Sequence, residues 1–264
     1  MKKHILLGIL LVFTMTVYSQ MDDKFYYPSR ECQPIEGLNY EDIYQVAGGD
    51  TVHSIFIHPV GKPKATIMYC HGNGGNISTH VNGVRPLVGA GYQVLMIDYR
   101  GYGKSTGVPT HLNVVTDVQL VFDSLMHQEE VQDLPVLIYG ASLGTQSATA
   151  LAKNNQSKIA ALVLDGAMAS FTDLAVVMSP DNAKDMIRQY LKSPYSAKED
   201  IKTLKNVRLL MIHSKEDQIP MVQAQEVYQN AVCPKTFWVY EGEHLQAPVL
   251  YPDLLVKYVD DLIK

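Results

Sequence analysis

Six short runs of Val, Ile, Leu, Met and Tyr recur along this chain, and stretches of helical character separate most of them. The runs are Ala65 to Cys70, Gln93 to Asp98, Leu134 to Tyr139, Ile159 to Asp165, Val207 to His213 and Thr236 to Tyr240. Runs so short and so continuously apolar are strands buried on both faces, and strands alternating with helices make a parallel sheet covered on both sides. Helices are expected over Val81 to Ala90, His111 to His127, Thr145 to Asn154, Met221 to Asn230 and Asp253 to Lys264. Ahead of the parallel part, Ile43 to Ala47 and Val52 to His58 flank Gly48-Gly49-Asp50, which predicts an antiparallel hairpin. The fold class is therefore α/β, with a mostly parallel eight-stranded sheet and helices on both faces. Residues Ala167 to Asn206 are irregular, carry Ser179-Pro180 and Ser193-Pro194, and predict one helix over Ala183 to Leu191; they read as a short insertion after the sixth strand.

The 264 residues, 47% hydrophobic and 19% charged, suit one large domain with a sizeable core. A net charge of -5 and a pI near 6.0 give no electrostatic reason to expect nucleic acid as a partner. At the N-terminus, Met1-Lys2-Lys3 precedes the apolar stretch Ile5 to Val17 and the small Ser19, the pattern of an export leader over residues 1–19. The expectation is a protein of the periplasm or the cell exterior, a domain over 20–264 and no stable membrane span after processing; an uncleaved anchor is the competing reading. Cys32, Cys70 and Cys233 leave at least one thiol free, with Cys32 and Cys233 the pair that could bridge. No CxxC or Cys/His cluster with zinc-like spacing occurs, so neither metal nor organic cofactor is expected.

Chemistry concentrates at Gly140-Ala141-Ser142-Leu143-Gly144, placed between a strand and a helix. A serine at a sharp strand-to-helix turn needs small residues two positions either side, because the strand and helix pass too close for side chains there. A serine hydroxyl also needs a neighbouring base, and the base needs a carboxylate to hold its tautomer. In this architecture the acid and then the histidine follow the serine, each after a later strand. Asp217 follows Val207 to His213, and His244 follows Thr236 to Tyr240. Asp165, which ends an earlier strand, is the competing acid, and His213 the competing base. Backbone N–H groups must also face the oxygen on which charge develops; Leu143 supplies one, and Asn73 in the glycine-rich His71-Gly72-Asn73-Gly74-Gly75-Asn76 the other. Met168, Phe171 and Tyr102 are the expected substrate-binding side chains, with Leu174, Val177, Met178 and Tyr195 further candidates for the pocket. His53, His58, His80, His111 and His127 fall on expected surface or loop positions. Asp98 is expected to brace its loop with Arg100.

These motifs, with Asp98-Tyr99-Arg100-Gly101-Tyr102-Gly103-Lys104-Ser105, resemble the α/β-hydrolase superfamily from about Tyr40 to Lys264, and within it the lid-poor, Bem46-like branch of serine hydrolases. The resemblance implies Ser142 as nucleophile, His244 as base, Asp217 as orienting acid, and Asn73 with Leu143 as oxyanion donors. It also implies esters, lipid esters or thioesters as substrates. The chain departs from the family where Ser214 and Glu243 replace common glycines. Two other functions are carried beside this one: a serine aminopeptidase, which needs an acidic group such as Glu243 or Asp165 to hold a substrate amine, and a non-catalytic binding protein on the same fold.

Overall fold

In the computed structural model, residues 22–264 are described, so the expected leader over 1–19 lies outside them. Eight strands form one sheet: β1 (Asn39–Ala47), β2 (Asp50–His58), β3 (Ala65–Cys70), β4 (Tyr92–Asp98), β5 (Val136–Ala141), β6 (Ala161–Asp165), β7 (Arg208–Ser214) and β8 (Lys235–Tyr240). Their spatial order is β8-β7-β6-β5-β3-β4-β2-β1. β1 and β2 form the expected hairpin and β2 runs antiparallel to β4, while every pairing from β4 to β8 is parallel. Every residue of β3, β4, β5 and β6 is buried, whereas the edge strand β1 is exposed or half-buried up to its last residue and the edge strand β8 mixes buried and exposed positions. This contrast is why the inner strands read as unbroken apolar runs and β1 does not.

Two apolar layers sandwich the sheet. On one face Val118 and Phe122 of α2 (His111–Leu125), Leu151 of α3 (Gly144–Asn154) and Val227 of α6 (Met221–Asn230) pack with Met68, Ile138 and Leu164. On the other, Leu87 of α1 (Arg85–Gly89) and Leu255 and Val259 of α7 (Pro252–Asp261) pack with Ile67, Tyr139 and Ile212. The single helix expected over Val81 to Ala90 is instead broken into a turn at Ile77–His80, a 3₁₀ turn at Val81–Gly83 and α1. Pro86 can occupy only the first turn of a helix, so α1 starts beside it. The insertion holds three helices rather than one: α4 (Phe171–Val177), α5 (Asp181–Tyr190) and a single turn at Ala197–Asp200. The start of α4 had a readable signal, since the Ser170 side chain accepts from the Asp173 N–H as an N-cap.

Two histidines expected near the surface are buried. His53 lies between Asp98 at 2.9 Å and Asp42 at 2.7 Å, and His111 is covered by residues 22–26. Asp98 therefore braces β2 through His53 rather than pairing with Arg100, whose guanidinium holds Asp117 and Asp50. All three cysteines are free thiols; Cys32 is exposed and Cys233 buried, so the two do not pair. Among the described residues no helix is long and apolar enough to cross a membrane.

Candidate active site

The turn from β5 into α3 places Ser142 at φ 53°, a left-handed conformation that a non-glycine residue holds only where its surroundings enforce it. A Cβ on Gly144 would stand 2.2 Å from the Cys70 carbonyl oxygen, and one on Gly140 2.6 Å from the Ala148 Cβ. Glycine at both positions is thus a packing requirement of the crossing between β3, β5 and α3. The Ser142 N–H donates to the Asp165 carbonyl at 2.7 Å, which ties the turn to the end of β6.

His244 follows β8, and its Nδ1 lies 2.8 Å from the Asp217 carboxylate. Burial acts to raise the Asp217 carboxyl, but the hydrogen bond and charge of His244 outweigh it and hold the group below the usual carboxylate range. The Ile219 N–H also donates to Asp217, at 2.7 Å. With Nδ1–H committed to Asp217, the lone pair of His244 is on Nε2, which is buried without a hydrogen-bond partner. Gly166 packs under the ring: a Cβ there would stand 2.5 Å from His244 Cε1. The Asp165-Gly166 dipeptide therefore touches Ser142 through one residue and His244 through the other. Gly166 was not singled out in the sequence, where its only signal is its place directly after a strand.

Ser214, one of the two departures from glycine, links the two loops. Its hydroxyl donates to the Gly242 carbonyl and accepts from the Glu216 N–H at 3.0 Å. Glu243 is exposed, and its carboxylate accepts from Gln246 at 3.3 Å. The competing base His213 has Nε2 on the Ile219 carbonyl at 3.0 Å and Nδ1 3.9 Å from Asp217, and burial holds it below the ordinary histidine value.

The loop after β3 is held from three sides. The Tyr102 hydroxyl donates to the Asn73 carbonyl at 2.6 Å, and the Tyr27 N–H donates to the same oxygen at 2.8 Å. His71 is fully buried against Tyr99 and Tyr102, and burial pushes it down to about 4, so it is neutral at physiological pH. With its carbonyl so fixed, Asn73 keeps its N–H free, and neither that group nor the Leu143 N–H donates to another described residue. Tyr102 is thus a brace for the loop and does not line the cavity.

A sequence profile described as serine aminopeptidase, S33, matches residues 61–193. The chain belongs to the α/β-hydrolase family. It is 30% identical over 231 residues to the uncharacterised protein YfhR of Escherichia coli O157:H7, covering 84% of this chain and 80% of YfhR. It is also 30% identical over 159 residues to bem46 of Schizosaccharomyces pombe, covering 60% of this chain and 53% of that protein. In three dimensions this α/β hydrolase is similar to an esterase of Pyrococcus furiosus, with a TM-score of 0.73 at 18% identity over 90% of this chain and 97% of the esterase.

Ser142, Leu143 and Asn73 of the hydrolase border one cavity of about 420 Å³. Met168 lines it, with Leu174, Met178, Ile187 and Ile219. Phe171 does not: it is fully buried behind the wall, edge-on to Phe25 and Tyr195 and tilted against His111. Neither Val177 nor Tyr195 lines the cavity. Another wall comes from Lys24, Phe25 and Tyr27, a segment to which the sequence assigned no role. It is pinned by the Asp22 carboxylate accepting from the His111 N–H at 3.1 Å and by the Tyr26 hydroxyl against His111 Nδ1 at 2.9 Å. Among the described residues, Glu41, His58 and Glu130 are the one group that brings three potential metal ligands together, and none of them lines this cavity.

Asp165, the competing acid, does not meet His244. Its carboxyl accepts from the Tyr139 hydroxyl at 2.9 Å, and burial pushes it up to about 7. Between the unfolded value near 4 and about 7, the folded chain keeps a proton that the unfolded chain releases, so this group's contribution to stability is lost as pH rises through that window. Asp165→Asn keeps the acceptor and removes the titration. Its melting temperature is expected to exceed that of the parent by several degrees at pH 8 and to match it near pH 4. Equal shifts at both pH values would show that ionisation of Asp165 is not the cause.

Proposed function

We propose that this α/β hydrolase cleaves carboxylic esters or thioesters through an acyl-Ser142 intermediate. The observation that carries the reading is the convergence on one cavity of Ser142 and the unengaged N–H groups of Asn73 and Leu143, with the oriented His244–Asp217 pair beside the same turn. His244 Nε2 takes the hydroxyl proton as Oγ bonds to the substrate carbonyl carbon, and the two N–H groups stabilise the resulting oxyanion. The carbon–oxygen or carbon–sulfur bond then breaks, and His244 returns the proton to the departing alcohol or thiol. Water attacks the acyl-serine with His244 again as base, which releases the acid and restores the Ser142 hydroxyl. Asp217 stabilises the imidazolium throughout.

The description attached to the matching profile names a second reading, peptide-bond cleavage at an amino terminus. That reaction needs an acidic group to receive the substrate amine. Among the described residues no carboxylate lines the cavity, and the charged side chain that does is Lys24. The two functions separate on substrates: nitrophenyl esters are expected to turn over and aminoacyl-nitroanilides are not. Preference for the nitroanilides would overturn the ester reading. Absence of turnover, with no labelling of Ser142 by a fluorophosphonate, would leave a binding protein.

Two further expectations belong here. Tyr102→Phe removes one of two donors to the Asn73 carbonyl and keeps the ring, so kcat on esters is expected to fall about tenfold with KM little changed. An unchanged kcat would show that Tyr102 does not position the loop. Release into the periplasm or the medium rests on cleavage of the leader-like residues 1–19, and an exported chain still beginning at Met1 would overturn it in favour of the uncleaved anchor.

A further inference from the structure

The cavity beside Ser142 is sized and lined for one kind of acyl group. Its enclosed part is bounded by Leu143, Met168, Phe25 and Ile219, all nearly or fully buried, and its mouth by Met178 and Tyr27, which are 65% and 56% exposed. Between them lie Leu174, Ala175 and Ile187, contributed by α4 and α5. Leu174, Ala175, Met178 and Ile187 offer no side-chain donor or acceptor, so the many hydroxyls of a sugar would go unsatisfied along that wall. The two methionines are flexible and polarisable, and so fit an aliphatic chain without demanding one shape.

We infer that the acyl group is an unbranched aliphatic chain of about eight to twelve carbons, seated against α4 and α5, a statement that rests on the acyl-serine reading above. At roughly 30 Å³ for each water-sized group, the cavity holds about fourteen such groups, enough for a medium chain with its carboxyl and far more than an acetyl requires. Each buried methylene adds about 0.8 kcal/mol, so several of them outweigh the loss of chain freedom on binding. Wall residues of α4 and α5 set the length. Ala175 and Ile187 are only half-buried, so each accommodates a larger side chain that fills the cavity.

Two measurements test this. Ser142→Ala protein titrated calorimetrically with sodium decanoate below its micelle concentration is expected to bind at least a hundredfold tighter than with sodium acetate. In the parent, kcat/KM on nitrophenyl esters is expected to rise at least tenfold from acetyl to decanoyl. Ala175→Trp, and independently Ile187→Trp, are expected to lower the ratio of decanoyl to acetyl kcat/KM tenfold or more, with melting curves confirming that each variant folds. Decanoate binding no tighter than acetate overturns the inference, as does a chain-length profile that both tryptophans leave unchanged. Fluorophosphonate labelling of Ser142 on the same preparations separates the two claims. Labelled protein without chain-length preference overturns the acyl-chain inference alone, and unlabelled protein overturns the serine reading while decanoate binding still decides the cavity's ligand.

Discussion

Ser142→Ala is expected to lower kcat on a nitrophenyl ester by about five to six orders of magnitude, leaving only what the oxyanion donors and binding supply. The size of the loss follows from the geometry. The Ser142 side chain lies at the cavity wall on a turn held at φ 53°, with its N–H fixed to Asp165 and the His244 Nε2 lone pair uncommitted nearby. Alanine removes the one oxygen able to bond to the acyl carbon and leaves the turn, the cavity and the His244–Asp217 pair intact. Binding of a substrate analogue should therefore survive, and circular dichroism should be unchanged. A variant that turns over esters at the parental rate would remove Ser142 from the mechanism.

Gly144→Ala is expected to be the most disruptive single methyl group at the site. The added Cβ would stand 2.2 Å from the Cys70 carbonyl oxygen and 2.5 Å from that of His71, both backbone atoms in the stem of the oxyanion loop. Neither can rotate aside, so β3 and α3 must separate, at a cost of about 3 kcal/mol or more. The displacement falls on Leu143 and on the start of the loop that carries Asn73, so the surviving folded protein is expected to lose about a hundredfold or more in kcat. Gly89→Ala is the control. Nothing lies within 4 Å of its Cβ position in α1, and it is expected to be neutral or to stabilise by up to about 1 kcal/mol. Denaturant midpoints for the two variants should move in opposite directions or differ by the full clash; equal midpoints would refute the close-packing account of Gly144.

The architecture and the candidate site residues were legible because their signals are local. Each inner strand is buried on both faces, so its apolar run is written into five to seven consecutive residues. The turn around Ser142 needs glycine at two fixed offsets, and the strand-by-strand order of the chain led to Asp217 and His244. Asp165 ends a strand and Asp217 follows one, and in sequence either could be the acid; only the fold shows His244 at 2.8 Å from Asp217 while Asp165 faces Tyr139.

The sequence alone determined the sheet, its order of elements and the candidate groups that meet at the carboxyl ends of its strands, since short-range patterning and backbone sterics dictate those. Tertiary structure decided what surrounds them. The cavity is walled by residues as far apart as Lys24 and Ile219, brought together by docking of segments that carry no common local pattern. The same docking turned Phe171 away from the cavity, made Tyr102 a brace for Asn73 and buried His111 beneath residues 22–26. Side-chain burial is a property of which surfaces meet, and two surfaces far apart in sequence announce their meeting only in the folded chain.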